Sequence, residues 1–125
     1  MVKGRITKFE LQLLEKLWTL GPCSVREIHE SLPGERRPAY TTIQTMIYRL
    51  EEKGAVKCVK RIGNANIFEA VHTRKAVHRR LISDLLDLFG GSATPVMSHL
   101  IESGKLTLAD VRALEKELAS MEKKK

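Results

Sequence analysis

Four short polar side chains, Thr41, Thr42, Gln44 and Thr45, fall close together near the start of one helical segment. Their types suit recognition of nucleic-acid bases. A Gln amide can bond adenine with both of its ends, and a Thr methyl can pack on the thymine methyl. Cations surround them in the chain: Arg36 and Arg37 before, Arg49 within, and Lys57, Lys60 and Arg61 after. Such a set would hold phosphates and fix register, leaving sequence choice to the polar groups. Thr, Gln and Tyr are also ordinary residues of a solvated helix face. A protein-interaction module without nucleic acid therefore stands as the second reading.

Catalytic chemistry finds little support. His29-Glu30 begins like a zinc-peptidase pair, but Pro33 stands where the second His would have to be. His72 and His78 do not share a helix face, and His99 has no evident partner. There is no Walker loop, dinucleotide fingerprint or nucleophile elbow. Two cysteines, Cys23 and Cys58, are too few for a disulfide scaffold or a four-ligand metal site. They read as small core or strand residues. The expectation is no enzyme, no cofactor and no metal.

The elements that position these residues can be read from periodicity and capping. Thr7-Lys8-Phe9-Glu10 and Ser24-Val25-Arg26-Glu27 are capping boxes opening two helices. Leu11, Leu14 and Trp18 recur along the first, and Ile28 and Leu32 mark the second. Gly21-Pro22 and Pro33-Gly34 stop them. A third helix runs from about Tyr40 to Lys53, with Ile43, Met46, Ile47 and Leu50 as its apolar stripe. Thr41, Thr45 and Tyr48 lie opposite that stripe, flanked by Gln44 and Arg49. Residues 56–61 and 67–71 then read as two strands around the turn Ile62–Asn66, a β-hairpin with imperfect alternation. Three further helices follow. Thr73 caps the first, Pro95 opens the second, and Thr107-Leu108-Ala109-Asp110 caps the last, which frays into Lys123–Lys125.

The predicted fold is mainly α with a small β-hairpin: a winged helix-turn-helix over 1–72 and a helical dimerisation region over 73–125. In such a fold the third helix enters the major groove and the hairpin is the wing. Composition agrees. The 125 residues are 42% hydrophobic and 30% charged, with a net charge of +7, which suits a polyanionic partner. The basic excess is spread over both halves, so a patch must come from folding. No apolar run is long enough to span a bilayer, and the first residues lack a secretory pattern. The expectation is a cytoplasmic protein without membrane insertion.

Phe9-Glu10 with Leu14 and Leu17-Trp18, then Ser24–Ile28, Tyr40–Gly54, Leu88–Ser92 and Leu100–Leu106, together resemble the BlaI/MecI penicillinase-repressor family. The resemblance spans nearly the whole chain in one order. It implies a bacterial transcriptional repressor that binds a palindromic double-stranded DNA operator as a homodimer. In the best-known branch a membrane sensor metallopeptidase, stimulated by a β-lactam, leads to cleavage of the repressor. Carried onto this chain, the cleaved bond is His99–Leu100, where that branch has an Asn-Phe pair. A second branch senses copper through cysteines near the C-terminus, and this chain has none after Cys58.

The later helices carry two leucine-rich stripes, Leu81, Leu85 and Leu88 and then Leu114, Leu118 and Met121. A lone appendage cannot bury both. Each Leu removed from water contributes roughly 1.5–3 kcal/mol, so pairing across a twofold axis is the expected outcome. Folding back onto the winged helix is the alternative.

Overall fold

Reciprocal caps start three of the helices. The structure, a computed structural model, describes residues 2–124; Met1 and Lys125 lie outside it. The Thr7 hydroxyl accepts the Glu10 N–H at 3.2 Å and Glu10 Oε1 accepts the Thr7 N–H at 2.9 Å, opening α1 (Lys8–Leu20). Ser24 and Glu27 do the same for α2 (Val25–Ser31). Thr107 and Asp110 open α6 (Leu108–Lys123), and these bonds hold the Asp110 carboxyl below its usual pKa. Thr73 caps α4 (Arg74–Leu88) through the Ala76 N–H at 3.1 Å. Between α2 and α3 (Tyr40–Glu52) lies one 3₁₀ turn, Gly34–Arg36. Pro95 sits in the first turn of α5 (Thr94–Glu102).

The apolar stripes converge on one core. Leu13, Leu14 and Leu17 of α1, Ile28 of α2 and Ile43, Ile47 and Leu50 of α3 are buried together. Cys23, Val56 and Phe68 close the core from the sheet side, and Val77 joins it from α4. Trp18 Nε1 donates to the His72 carbonyl at 2.9 Å, and Arg74 bonds Glu15 at 3.0 Å.

The sheet differs from the predicted hairpin. It has three antiparallel strands in the order β1-β3-β2, where β1 is Cys23–Ser24, β2 is Val56–Ile62 and β3 is Ala65–Ala70. Cys23 pairs with Phe68 and Ser24 with Ile67, so β3 is the central strand. The turn is tighter than expected: only Gly63 and Asn64 lie between the strands. Gly63 has φ 60°, the left-handed geometry a two-residue hairpin turn requires. The imperfect alternation has a cause. Register shifts between Cys58 and Lys60, leaving Val59 in a bulge that adds local twist. Beyond Val56, β2 is exposed throughout, so the wing tip stands free in solvent. Three helices and this sheet make a winged helix.

The chain divides into two compact units, one ending at Leu81 and the other beginning at Ile82. The first therefore takes in the start of α4, beyond the 1–72 expected for the winged helix. In the second unit no described residue is buried. Its Leu85, Leu88, Leu114, Leu118 and Met121 are all exposed. Leu81, the first residue of that predicted stripe, is half-buried and packs against the core of the first unit, as the next turn of α4 after Val77.

Candidate nucleic-acid interface

The helix α3 is fixed by its buried edge and clamped at its end. Ile43, Ile47 and Leu50 of α3 have no solvent exposure, so rotating the helix would drag apolar surface into water. Lys53, its C-terminal cap, reaches the Glu10 carboxylate at 2.7 and 2.9 Å and the Arg5 carbonyl at 2.7 Å. Glu10 is only 1% exposed. Burial pushes its carboxyl pKa up, but the Lys53 ammonium and the Thr7 donors outweigh this and hold it below the usual range. Sequence reading assigned Glu10 a capping role alone; its charge partner lies 43 positions away.

With that edge fixed, Thr41, Thr42 and Thr45 are exposed and Gln44 is half-buried. The Thr45 hydroxyl donates to the Thr41 carbonyl at 2.9 Å, one turn back along the helix. Gln44 lines a cleft of about 370 Å³ between α3 and the wing, together with Tyr40, Tyr48, Arg26, Asn64 and Asn66. Phe68 and Ile62 supply apolar wall. Arg26 was missed as a candidate, because its place within the second capping box suggested only a helix start. Asn64 and Asn66 were read as turn chemistry alone.

The cations fall into separate groups. Lys57 is opposite Glu69 in register and pairs with it at 3.5 Å. Lys60 is exposed on β2, and Arg61 Nε donates to the Gly63 carbonyl at 3.1 Å, bracing the wing turn. Arg49 is exposed on α3, its guanidinium 3.8 Å from the Met46 sulfur. Arg36 and Arg37 do not line the α3–wing cleft; they border a second depression with Phe9, Leu32 and Pro33.

The remaining candidates also have defined places. His99–Leu100 lies within α5, and the His99 carbonyl accepts the Ser103 N–H at 2.9 Å. Cys23 is buried, with its thiol pushed up to about 11 by burial and then by the nearby Glu27 charge, whereas Cys58 is exposed on β2. Among the described residues there is no group of three or more potential metal ligands, and no helix is long and apolar enough to cross a membrane.

The model of the penicillinase repressor family matches residues 6–120. The chain is 32% identical over 121 residues to the transcriptional regulator BlaI of Mycobacterium tuberculosis, in both strains CDC 1551 and H37Rv, covering 94% of this chain and 86% of the relative. It is 27% identical over 117 residues to an uncharacterised 16.5 kDa protein of Latilactobacillus sakei, covering 94% and 80%. A structure of a Lactococcus lactis ZitR mutant superposes with a TM-score of 0.45 at 16% identity, covering 96% of this chain and 75% of that one. The chain belongs to the penicillinase repressor family, and it is a winged-helix transcriptional regulator rather than an enzyme.

Proposed function

We propose that the chain represses transcription by binding a palindromic double-stranded DNA operator as a homodimer. The observation that carries this reading is the two-sidedness of α3: one edge fully buried, the other polar and open beside the wing. In this reading α3 enters the major groove. Thr41, Thr42, Gln44 and Thr45 meet base edges, and Arg36, Arg37, Arg49, Lys57, Lys60 and Arg61 hold phosphates on either side. Residues 1–72 carry the DNA contacts, and residues 73–125 supply the dimer through Leu85, Leu88, Leu114, Leu118 and Met121. Leu81 belongs to the same proposed contact, and its other side packs, half-buried, against the core of the winged unit. The exposed apolar residues of the second unit support a twofold mate, because isolated helices with such faces lose stability in water.

Dimerisation sets two reader helices on two half-sites and converts the second contact into an intramolecular event, worth about 10²–10⁴-fold in affinity. Release by a membrane sensor metallopeptidase would act on this term. Cutting His99–Leu100 severs α6 from the DNA-binding unit. Because that bond is helical, the last turn of α5 must unwind before a peptidase can hold it extended. Gel shift on the gene's own upstream DNA tests the proposal. Gln44→Ala should relax sequence choice, and Lys60→Ala should weaken binding to all DNA and flatten the salt dependence. No shift at any salt would leave the interaction-module reading in its place.

A further inference from the structure

Tyr48 stands one helical turn after Gln44 on α3, and both line the cleft beside the wing. The Gln44 Nε2 amide donates to the Tyr48 hydroxyl at 3.5 Å. The Tyr48 ring meets the Phe68 ring edge-on, with centroids 6.2 Å apart and an interplanar angle of 64°. Phe68 is 1% exposed and sits on the central strand, opposite Cys23 on one side and Cys58 on the other. A continuous path of contact therefore runs from Phe68 on the central strand, through the Tyr48 ring, to the Gln44 amide.

We propose that Tyr48 is a positioning residue for base recognition: braced on Phe68, it orients the Gln44 amide toward the major groove. The inference rests on the DNA-binding reading above. A Gln amide has two N–H donors and one carbonyl acceptor. With one donor turned to Tyr48, the second donor and the carbonyl remain side by side, the pattern that pairs with N7 and N6 of adenine. An unbraced Gln must surrender its rotamer freedom on binding, whereas an ordered one has less to lose. At 3.5 Å the bond is long and contributes little by itself; its consequence is choice of orientation. Tyr48 also carries the link between wing and reader, so the wing influences base choice without touching a base.

The test is selection of binding sites from a random duplex pool by the full chain, followed by titration of selected and random duplexes. The variants are Tyr48→Phe, Gln44→Ala and the double substitution. Tyr48→Phe keeps the ring against Phe68 and removes only the hydroxyl. The unmodified chain is expected to prefer adenine at one position in each half-site. Tyr48→Phe should lower that preference by about 3- to 10-fold, a part of the roughly 5- to 150-fold a full bidentate pair gives, with affinity for random DNA unchanged. The double variant should discriminate no worse than Gln44→Ala alone. Full retention of the preference by Tyr48→Phe, an additive loss in the double variant, or an equal loss on selected and random DNA would each overturn the inference; the last would make Tyr48 a phosphate contact. Failure of the unmodified chain to bind any duplex would overturn the DNA-binding reading and this inference with it.

Discussion

Replacing Lys53 with Met removes the charge partner of a buried carboxylate while keeping most of the side-chain volume. Glu10 would retain the Thr7 N–H at 2.9 Å and lose the two ammonium contacts at 2.7 and 2.9 Å. Taking one partner from a buried ion pair costs about 3–5 kcal/mol. The Lys53 side chain is 26% exposed, so water can enter the vacated space, and the lower end, about 3 kcal/mol, is expected. Trp18 is the only tryptophan and lies in the first unit, so its fluorescence reports unfolding of the winged helix directly. At a denaturant slope of about 1.5 kcal/mol per molar urea, the midpoint should fall by about 2 M.

The pH dependence sharpens that experiment. In the native protein the Glu10 carboxyl is pushed up by burial but held below its usual range by Lys53 and Thr7. A depressed folded pKa adds stability above the unfolded value, and this stability is lost as pH falls through the folded one. In Lys53→Met, burial acts without the ammonium, so protonation relieves the variant instead. The gap between the two proteins should begin to narrow as pH falls through the variant's raised carboxyl value, above the usual carboxylate range, and continue to narrow down through the depressed native one. A midpoint shift under about 0.3 M, or a gap constant from neutral to acid pH, would refute the clamp.

Three further outcomes follow from the same structure. Ser24→Ala removes the α2 cap and its bond to Glu27, and should cost about 1–2 kcal/mol in the same urea titration. An aromatic disulfide reagent at neutral pH should modify Cys58 at once and Cys23 only as the winged unit unfolds, because burial keeps the Cys23 thiol protonated. Truncation after His99 should leave a monomer in analytical ultracentrifugation, with operator affinity reduced by about 10²-fold or more; a persisting dimer would place the twofold contact outside α6.

What the sequence disclosed was mostly local. The boxes at Thr7, Ser24 and Thr107 are decided within four residues, and the α3 stripe within two turns, so pattern alone placed them. The strand Cys23–Ser24 was not legible, because two residues become a strand only by pairing with Ile67 and Phe68 more than forty positions later. The same distance hid the Glu10–Lys53 pair. Helical spacing sets Leu81 in one stripe with Leu85 and Leu88, but spacing cannot disclose that Leu81 also touches the core beside Val77. At the candidate interface the outer face of α3 was readable from periodicity. Arg26 became visible only when folding brought α2 beside the wing, and the separation of Arg36 and Arg37 from the cleft likewise depends on the path of the turn.

The central claim is that α3 and the wing form a specific surface for duplex DNA, presented twice. Fluorescence anisotropy of the full chain on a labelled duplex from the gene's own upstream region, against a scrambled duplex across a salt series, measures it most directly. Two chains should bind each upstream duplex, at least about a hundredfold more tightly than the scrambled one. Affinity should fall steeply with salt, with a log–log slope of about −5 for each protomer whose six candidate cations all reach phosphate. Equal affinity for both duplexes, one chain per duplex, or binding indifferent to salt would contradict the account.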